Sequence, residues 1–153
     1  MKSFRDLIRI AFIACWTGYL GNASGDQDAL HLKNDAQARF KHATALAQQG
    51  QDDEAIALFD ALIAQYPELP EPYNNLAALH AKYGRLDAAR AALESALAVH
   101  SDYALAYQNL GRVYLQLAER AYQRTLELEP RNASAKRMQQ RIQSILAPSA
   151  KSR

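Results

Sequence analysis

Cysteine is nearly absent from this chain of 153 residues, because Cys15 is its single thiol. One cysteine excludes an intrachain disulfide. The histidines show no His-x-x-x-His or Cys/His spacing that would place metal ligands on one helical turn. The sequence also has no glycine-rich phosphate loop and no nucleophile elbow. We therefore predict no metal, no cofactor and no catalytic residues, and hence a protein that is not an enzyme.

An excess of charge is also absent once the amino-terminal segment is set aside. The chain has 18 basic and 16 acidic residues, and the first 23 residues contain three of the basic ones and one of the acidic ones. The remainder thus has 15 of each. A neutral domain gives no argument for binding nucleic acid or an anionic membrane surface.

The amino end has the layout of a secretory signal peptide. A basic start precedes the apolar run 10–16, and small residues follow around Ala23. This run is shorter than the roughly twenty residues of a permanent membrane helix. We predict a signal peptide at residues 1–23, an exported, periplasmic protein, and membrane contact through this segment alone. The alternative is a retained amphipathic helix that packs on the domain, since Arg9 lies within the apolar region.

The segment Phe12-Ile13-Ala14-Cys15 resembles the lipobox of bacterial lipoproteins, in which the cysteine becomes a lipidated amino terminus. Phe12 stands where that motif has an aliphatic residue, usually leucine. Lipidation of Cys15 and a membrane tether are therefore a second alternative to simple cleavage.

A motif of about 34 residues recurs in the chain. Gly50 and Gly84 are 34 residues apart. Apolar residues follow the two glycines at matching distances: Ala55, Phe59 and Leu62 after the first, and Ala89, Leu93 and Ala96 after the second. Self-similarity at this period is typical of stacked helical hairpins. Pro67 and Pro130 stand where second helices should end.

A third copy has residue types and an order that closely resemble the tetratricopeptide repeat: Tyr107, Leu110-Gly111, Tyr114, Ala118, Tyr122, Leu126 and Pro130. The resemblance implies an all-α, short right-handed helical-hairpin solenoid, in a tetratricopeptide protein of an exported bacterial type. We place the repeats at 36–69, 70–103 and 104–130, within a domain at 36–147. Asn132 should cap a C-terminal capping helix at 132–146. A linker at 24–35 and a flexible tail at 148–153 complete the chain.

The third copy lacks about five residues between Leu117 and Ala118, where the other copies have their glycine-containing turn. Residues 112–129 contain no glycine or proline, and their propensities favour one uninterrupted helix. Tyr122 and Leu126 would then need cover from the terminal helix, a second chain or a partner. The alternative is a kink near Ala118 that preserves a cramped hairpin.

Large side chains should fill the space between hairpins, and small ones should lie where the helices approach closely. The predicted large set is Phe59, Tyr73, Leu76, Leu93, Tyr107, Leu110, Tyr114 and Tyr122. The acidic run Asp52-Asp53-Glu54 begins a second helix, where negative charge favours the helix dipole. We interpret these three residues as capping acids.

The resemblance implies a concave groove, lined by the first helices, that receives a protein or peptide segment. The groove residues by this match are Gln37, Phe40, Lys41, Thr44, Glu71, Asn74, Asn75, Ala78, Lys82, Gln108, Asn109, Arg112 and Gln116. Asn75 and Asn109 are the strongest candidates, because an amide donates and accepts at once. A clamp for a terminal carboxylate is incomplete, since Leu105 and Asn109 stand where it needs Lys and Arg.

These features predict a non-catalytic scaffold or adaptor for protein partners in the bacterial cell envelope. The alternative function is a self-associating module, a homodimer formed through the shortened third repeat. Crosslinking from Asn75, compared with Ser95 on a second helix, tests groove recognition.

Overall fold

The computed structural model describes residues 31–147 of the chain, and within this range every regular element is a helix. Helix α1 covers the described residues 31–48. Five further helices follow: α2 at Asp52–Gln65, α3 at Pro70–Lys82, α4 at Leu86–Val99, α5 at Ala104–Leu128 and α6 at Ala133–Leu146. The predicted all-α fold is confirmed. The expected signal peptide, Cys15 and the carboxyl-terminal tail lie outside the described residues.

The chain divides into two compact units, Met1–Lys41 and His42–Arg153. In the first unit, Arg39 Nε lies 3.0 Å from Asp35 Oδ2, one helical turn away. Residues 31–35 are therefore helical, and the expectation that they belong to a linker is wrong. They contain no glycine or proline to interrupt the helix that continues beyond them.

Two glycine turns separate the paired helices of the second unit. Gly50 and Gly84 have φ values of 80° and 68°, in the left-handed region where a Cβ is strained. The residue after each glycine donates to a carbonyl five residues earlier, from Gln51 N to Leu46 O and from Arg85 N to His80 O, both at 2.9 Å. This pattern closes the end of a helix. The predicted role of both glycines is confirmed.

The core of the second and third copies lies between α3, α4 and α5. Its buried members are Ala77, Leu86, Ala89, Leu93, Ala96, Ala106, Leu110 and Val113. Alanines at the contact faces let the helices approach closely enough for Leu93 to be fully buried. Complete burial of such a side chain stabilises the fold by about 1.5–3 kcal/mol.

Helix α5 runs for 25 residues without a break, which confirms the long helix. Its C-cap is Glu129, directly before Pro130. Asn132 Oδ1 then accepts a 2.9 Å hydrogen bond from Ala135 N, so the predicted N-cap of α6 is also confirmed. Helix α6 packs on α5, where Tyr122 and Leu126 are half-buried.

The long helix leaves two predicted core tyrosines uncovered. Tyr107 is 55% exposed and Tyr114 is 49% exposed. The prediction that they fill the space between hairpins is wrong, because the segment that should cover them continues along the same helix. Although α5 is long, no helix in residues 31–147 combines the length and apolar character needed to span a bilayer.

Candidate functional site

A cavity of ≈ 240 Å³ opens between α3 and α5 in the second unit. It is lined by Ala77, Ala78, Ala81, Lys82, Leu93, Asn109, Arg112, Val113 and Gln116. Its floor is apolar, since Ala77, Leu93 and Val113 are buried. Five of the predicted groove residues meet here: Ala78, Lys82, Asn109, Arg112 and Gln116.

Helical spacing explains why these residues share one space. On α5, Asn109, Arg112 and Gln116 follow each other at three and four residues, so they lie on one face. The facing surface of α3 carries alanines at 77, 78 and 81. Alanine side chains leave room that larger residues would fill, and the polar side chains of α5 border that room.

Asn109 is held in place by Asn74. Its Nδ2 donates to Asn74 Oδ1 at 2.8 Å, linking α5 to α3. Asn74 is only 5% exposed, so it is a buried positioning residue. The expectation that Asn74 contacts a partner is therefore corrected, because its side chain points into the helix interface. Within residues 31–147, Asn109 Oδ1 has no hydrogen-bond donor and can accept from a ligand.

Two further groups give the cavity binding capacity. Gln116 Oε1 is buried and has no hydrogen-bond partner among the described residues. A buried acceptor without a donor costs about 1–3 kcal/mol, which a ligand N–H could recover after a side-chain rotation. Arg112 is exposed at the edge and forms no ion pair with any described residue. The cavity thus combines an apolar floor, unpaired acceptors and a cation.

Lys82, the other cation of the cavity, is already paired. Its Nζ forms an ion pair with Asp52 Oδ2, and Tyr83 Oη donates to the same oxygen at 2.6 Å. The hydrogen bond from Lys82, followed by that from Tyr83, lowers the pKa of Asp52. The hydrogen bond to Asp52 raises the pKa of Lys82 and of Tyr83. The charge of Lys82 is therefore largely compensated before any ligand binds.

The interpretation of Asp52 as a capping acid is wrong. Its side chain is 2% exposed and binds α3, whereas Asp53 and Glu54 are exposed in the first turn of α2. A signal for this role was present in the repeat. Asp52 stands 34 residues before Leu86, a buried member of the core, so an acid occupies an apolar position and needs a buried partner.

The remaining predicted groove residues do not line this cavity. In the first unit, Gln37 and Lys41 are exposed and Phe40 is half-buried. In the second unit, Glu71 and Gln108 are exposed, whereas Thr44 and Asn75 are half-buried. Across residues 31–147 there is no cluster of three or more His, Cys, Asp or Glu residues that could hold a metal ion.

Comparisons with known proteins agree with this architecture. Residues 37–68 match the family model described as "Tetratricopeptide repeat". A curated relative, the TPR repeat-containing thioredoxin TTL4 of Arabidopsis thaliana, is 33% identical over 99 residues, which are 65% of this chain. The chain spans 14% of the length of that relative.

Solved structures show the same arrangement of helices. The first TPR of Spaghetti (RPAP3), bound to the HSP90 peptide SRMEEVD, has a TM-score of 0.53 and 27% identity, covering 74% of this chain and 94% of that one. The first TPR domain of human RPAP3 has the same TM-score and identity, covering 73% and 92%. The Sgt2 TPR domain of Aspergillus fumigatus shares the fold at 21% identity, with a TM-score of 0.53 and coverage of 73% and 79%. The comparisons support the tetratricopeptide repeat family for this chain and show an all-α helical-repeat fold.

Proposed function

We propose that this protein is a non-catalytic interaction scaffold that binds a segment of a protein partner in the cavity between α3 and α5. The observation that carries the proposal is the meeting of Asn109, Arg112 and Gln116 over an apolar floor. The first TPR of Spaghetti (RPAP3), at 27% identity, is bound to a peptide, and this supports the same class of partner here.

The lining of the cavity favours a particular chemistry in the bound segment. A small apolar side chain fits the floor formed by Ala77, Leu93 and Val113. Arg112 attracts an acidic side chain or a carbonyl, and charge-assisted hydrogen bonds are stronger than neutral ones. Because Asp52 compensates Lys82, Arg112 is the unpaired cation among the described lining residues. One free cation favours an internal segment over a terminal carboxylate.

A photoreactive residue at Ala78 tests this proposal in native extracts. Ala78 is exposed and lines the cavity, and the matched position Ser95 is exposed on α4, away from the lining residues. We expect a partner to be captured from Ala78 and not from Ser95. Capture from both positions, or from neither, contradicts groove recognition.

The charge of the cavity gives a second arm to this test. Arg112→Glu should weaken capture from Ala78 about tenfold or more, the effect of one lost charge-assisted hydrogen bond and a new repulsion. Arg141→Glu, an equal change at an exposed residue of α6, should leave capture unchanged. Equal loss in both variants would mean that net charge matters and the cavity does not.

We also propose that the protein is exported to the bacterial envelope. The support is the basic start, the short apolar run and the small residues that end at Ala23. Mass spectrometry of the protein from a Gram-negative host should find an amino terminus at Ser24. An intact Met1 contradicts export by cleavage, and a lipidated Cys15 would replace it with the lipoprotein alternative.

A further inference from the structure

We infer that the uncovered face of α5, formed by Tyr107, Gly111 and Tyr114, binds the same helix of a second copy of this chain. We call it the α5 face. The two copies would lie antiparallel, and the carboxyl half of each α5 would cover the α5 face of the other. This self-association is separate from binding in the cavity and does not rest on it.

The second copy of the repeat shows what normally covers such a face. The residues 34 positions before the α5 face are Tyr73, Ala77 and His80 on α3. Ala77 is 1% exposed, and Tyr73 and His80 are half-buried, because α4 folds back on α3. On α5 the same three positions are exposed. The residue types of the contact persist, but the covering helix is missing.

The chain itself contains that covering helix, at the wrong distance. The fully buried Ala89, Leu93 and Ala96 of α4 have counterparts 29 positions later, at Ala118, Tyr122 and Thr125. The spacing is 29 because the third copy lacks the residues that correspond to Gly84-Arg85-Leu86-Asp87-Ala88. The covering residues are therefore joined to the α5 face within one rigid helix.

Helix geometry prevents these two halves from meeting within one chain. Gly111 and Tyr122 are eleven residues apart on α5, which at about 1.5 Å per residue separates them by roughly 16 Å along the axis. A second copy placed antiparallel brings each carboxyl half beside the other amino half, as α4 lies beside α3. One two-fold axis produces both contacts at once, so the interface is self-complementary.

Gly111 supplies independent support for a close helix contact. A Cβ added to it meets no atom within 4 Å in the single chain, so the fold of one copy does not require glycine there. Glycine inside a helix is also destabilising relative to alanine. Its position opposite the counterpart of Ala89 explains the residue, since two helix backbones approach closest where both side chains are small.

Sedimentation of the full chain at micromolar concentration tests the inference. We expect a species of twice the 17.0 kDa of one chain. Tyr114→Glu and Gly111→Gln should each raise the dissociation constant of the dimer at least about tenfold. Both residues are exposed in the single copy, so circular dichroism should show unchanged helix content. Ile145→Glu, at a residue of α6 that is 64% exposed, is the matched control and should remain dimeric.

Intermolecular disulfides test the register of the pair. In a Cys15→Ser background, mixing Gly111→Cys chains with Ala118→Cys chains should give a covalent heterodimer, because their counterparts Ala77 and Ala89 are both buried in the α3–α4 contact. Neither single-cysteine chain should crosslink with itself. A bridge within one chain of the double variant would mean a hairpin, since seven helical residues span about 10 Å and a disulfide joins Cα atoms about 4.4–6.8 Å apart.

Three outcomes overturn the inference: a monomer throughout the micromolar range, an unaffected dimer in Gly111→Gln, or a bridge within one chain. A monomer would mean that another protein, or solvent, covers the α5 face. Arg112→Glu distinguishes the two proposals, because it should weaken capture of a partner in the cavity and leave the dimer intact.

Discussion

The second and third copies of the repeat place nearly the same residue types at the same positions, yet only one of them folds into a hairpin. Ala77 is 1% exposed on α3, and its counterpart Gly111 is exposed on α5. Tyr73 packs against the core, whereas Tyr107 is 55% exposed. Residue type does not explain this difference. The connection does, because the third copy lacks the five residues that carry the turn.

The comparison shows that a contact face and its covering helix are separate requirements. Side chains determine which surfaces fit together, and the turn determines whether they can meet within one chain. Where the turn is lost, the face persists without its partner helix. This difference in connection leads to three predictions.

Restoring the turn should have the largest effect. Inserting Gly-Arg-Leu-Asp-Ala, a copy of residues 84–88, between Leu117 and Ala118 should split α5 into a hairpin. Tyr107 and Tyr114 would then be covered, each contributing about 1.5–3 kcal/mol to the free energy of unfolding. We expect a monomer whose urea midpoint does not depend on protein concentration. Inserting five alanines is the control, since alanine continues the helix. Identical behaviour of the two insertions would contradict the role of the turn.

Two glycines in equivalent hairpins should respond with opposite sign. Gly84→Val should lower the free energy of unfolding by about 1–2 kcal/mol or more, because φ at this position is 68° and L-residues are strained there. Gly50→Val should do the same. Gly111→Ala should raise it by roughly 1 kcal/mol, since the helix gains propensity and the new Cβ meets open space. Chemical denaturation measures both, and a loss of stability in Gly111→Ala would mean that a covering helix is already present within one chain.

Acid should affect the junction of α2 and α3 more than that of α4 and α5. The positions of Asp52 and Tyr83 are held by Leu86 and Leu117 in the later junction. The pKa of Asp52 is lowered in the folded chain, so the unfolded chain takes up a proton at higher pH than the folded chain does. The stability from this pair is present above the ordinary pKa of 3.8 and is lost as the pH falls below it.

The melting temperature between pH 5 and pH 2.5 measures this effect, which should be the smallest of the three at neutral pH. Asp52→Asn should flatten the acid dependence that belongs to the pair, and Asp53→Asn, at an exposed position, is its control. A separate loss below pH 6.5 should come from His80, whose pKa is lowered mainly by burial. His80→Gln should remove that earlier step alone.

Much of the fold followed from local rules. Gly50 and Gly84 predicted left-handed turns, Asn132 predicted a cap, and the absence of breakers in 112–129 predicted one helix; all three are confirmed. Each depends on the backbone preferences of a few neighbouring residues. The groove set was less complete. Five of its thirteen members line the cavity, whereas Asn74 turned out to be buried, because its direction depends on how α3 and α5 are packed.

The sequence by itself determined the helices, their ends and the period at which they repeat, because these follow from propensity, capping and the spacing of apolar residues. Only the tertiary structure decided which polar side chains are neutralised and which are left to bind. Asp52 pairs with Lys82, Asn74 positions Asn109, and Arg112 stays at the edge of the cavity. The reason is physical: charge pairing and desolvation depend on distances between helices, and no local pattern encodes those distances.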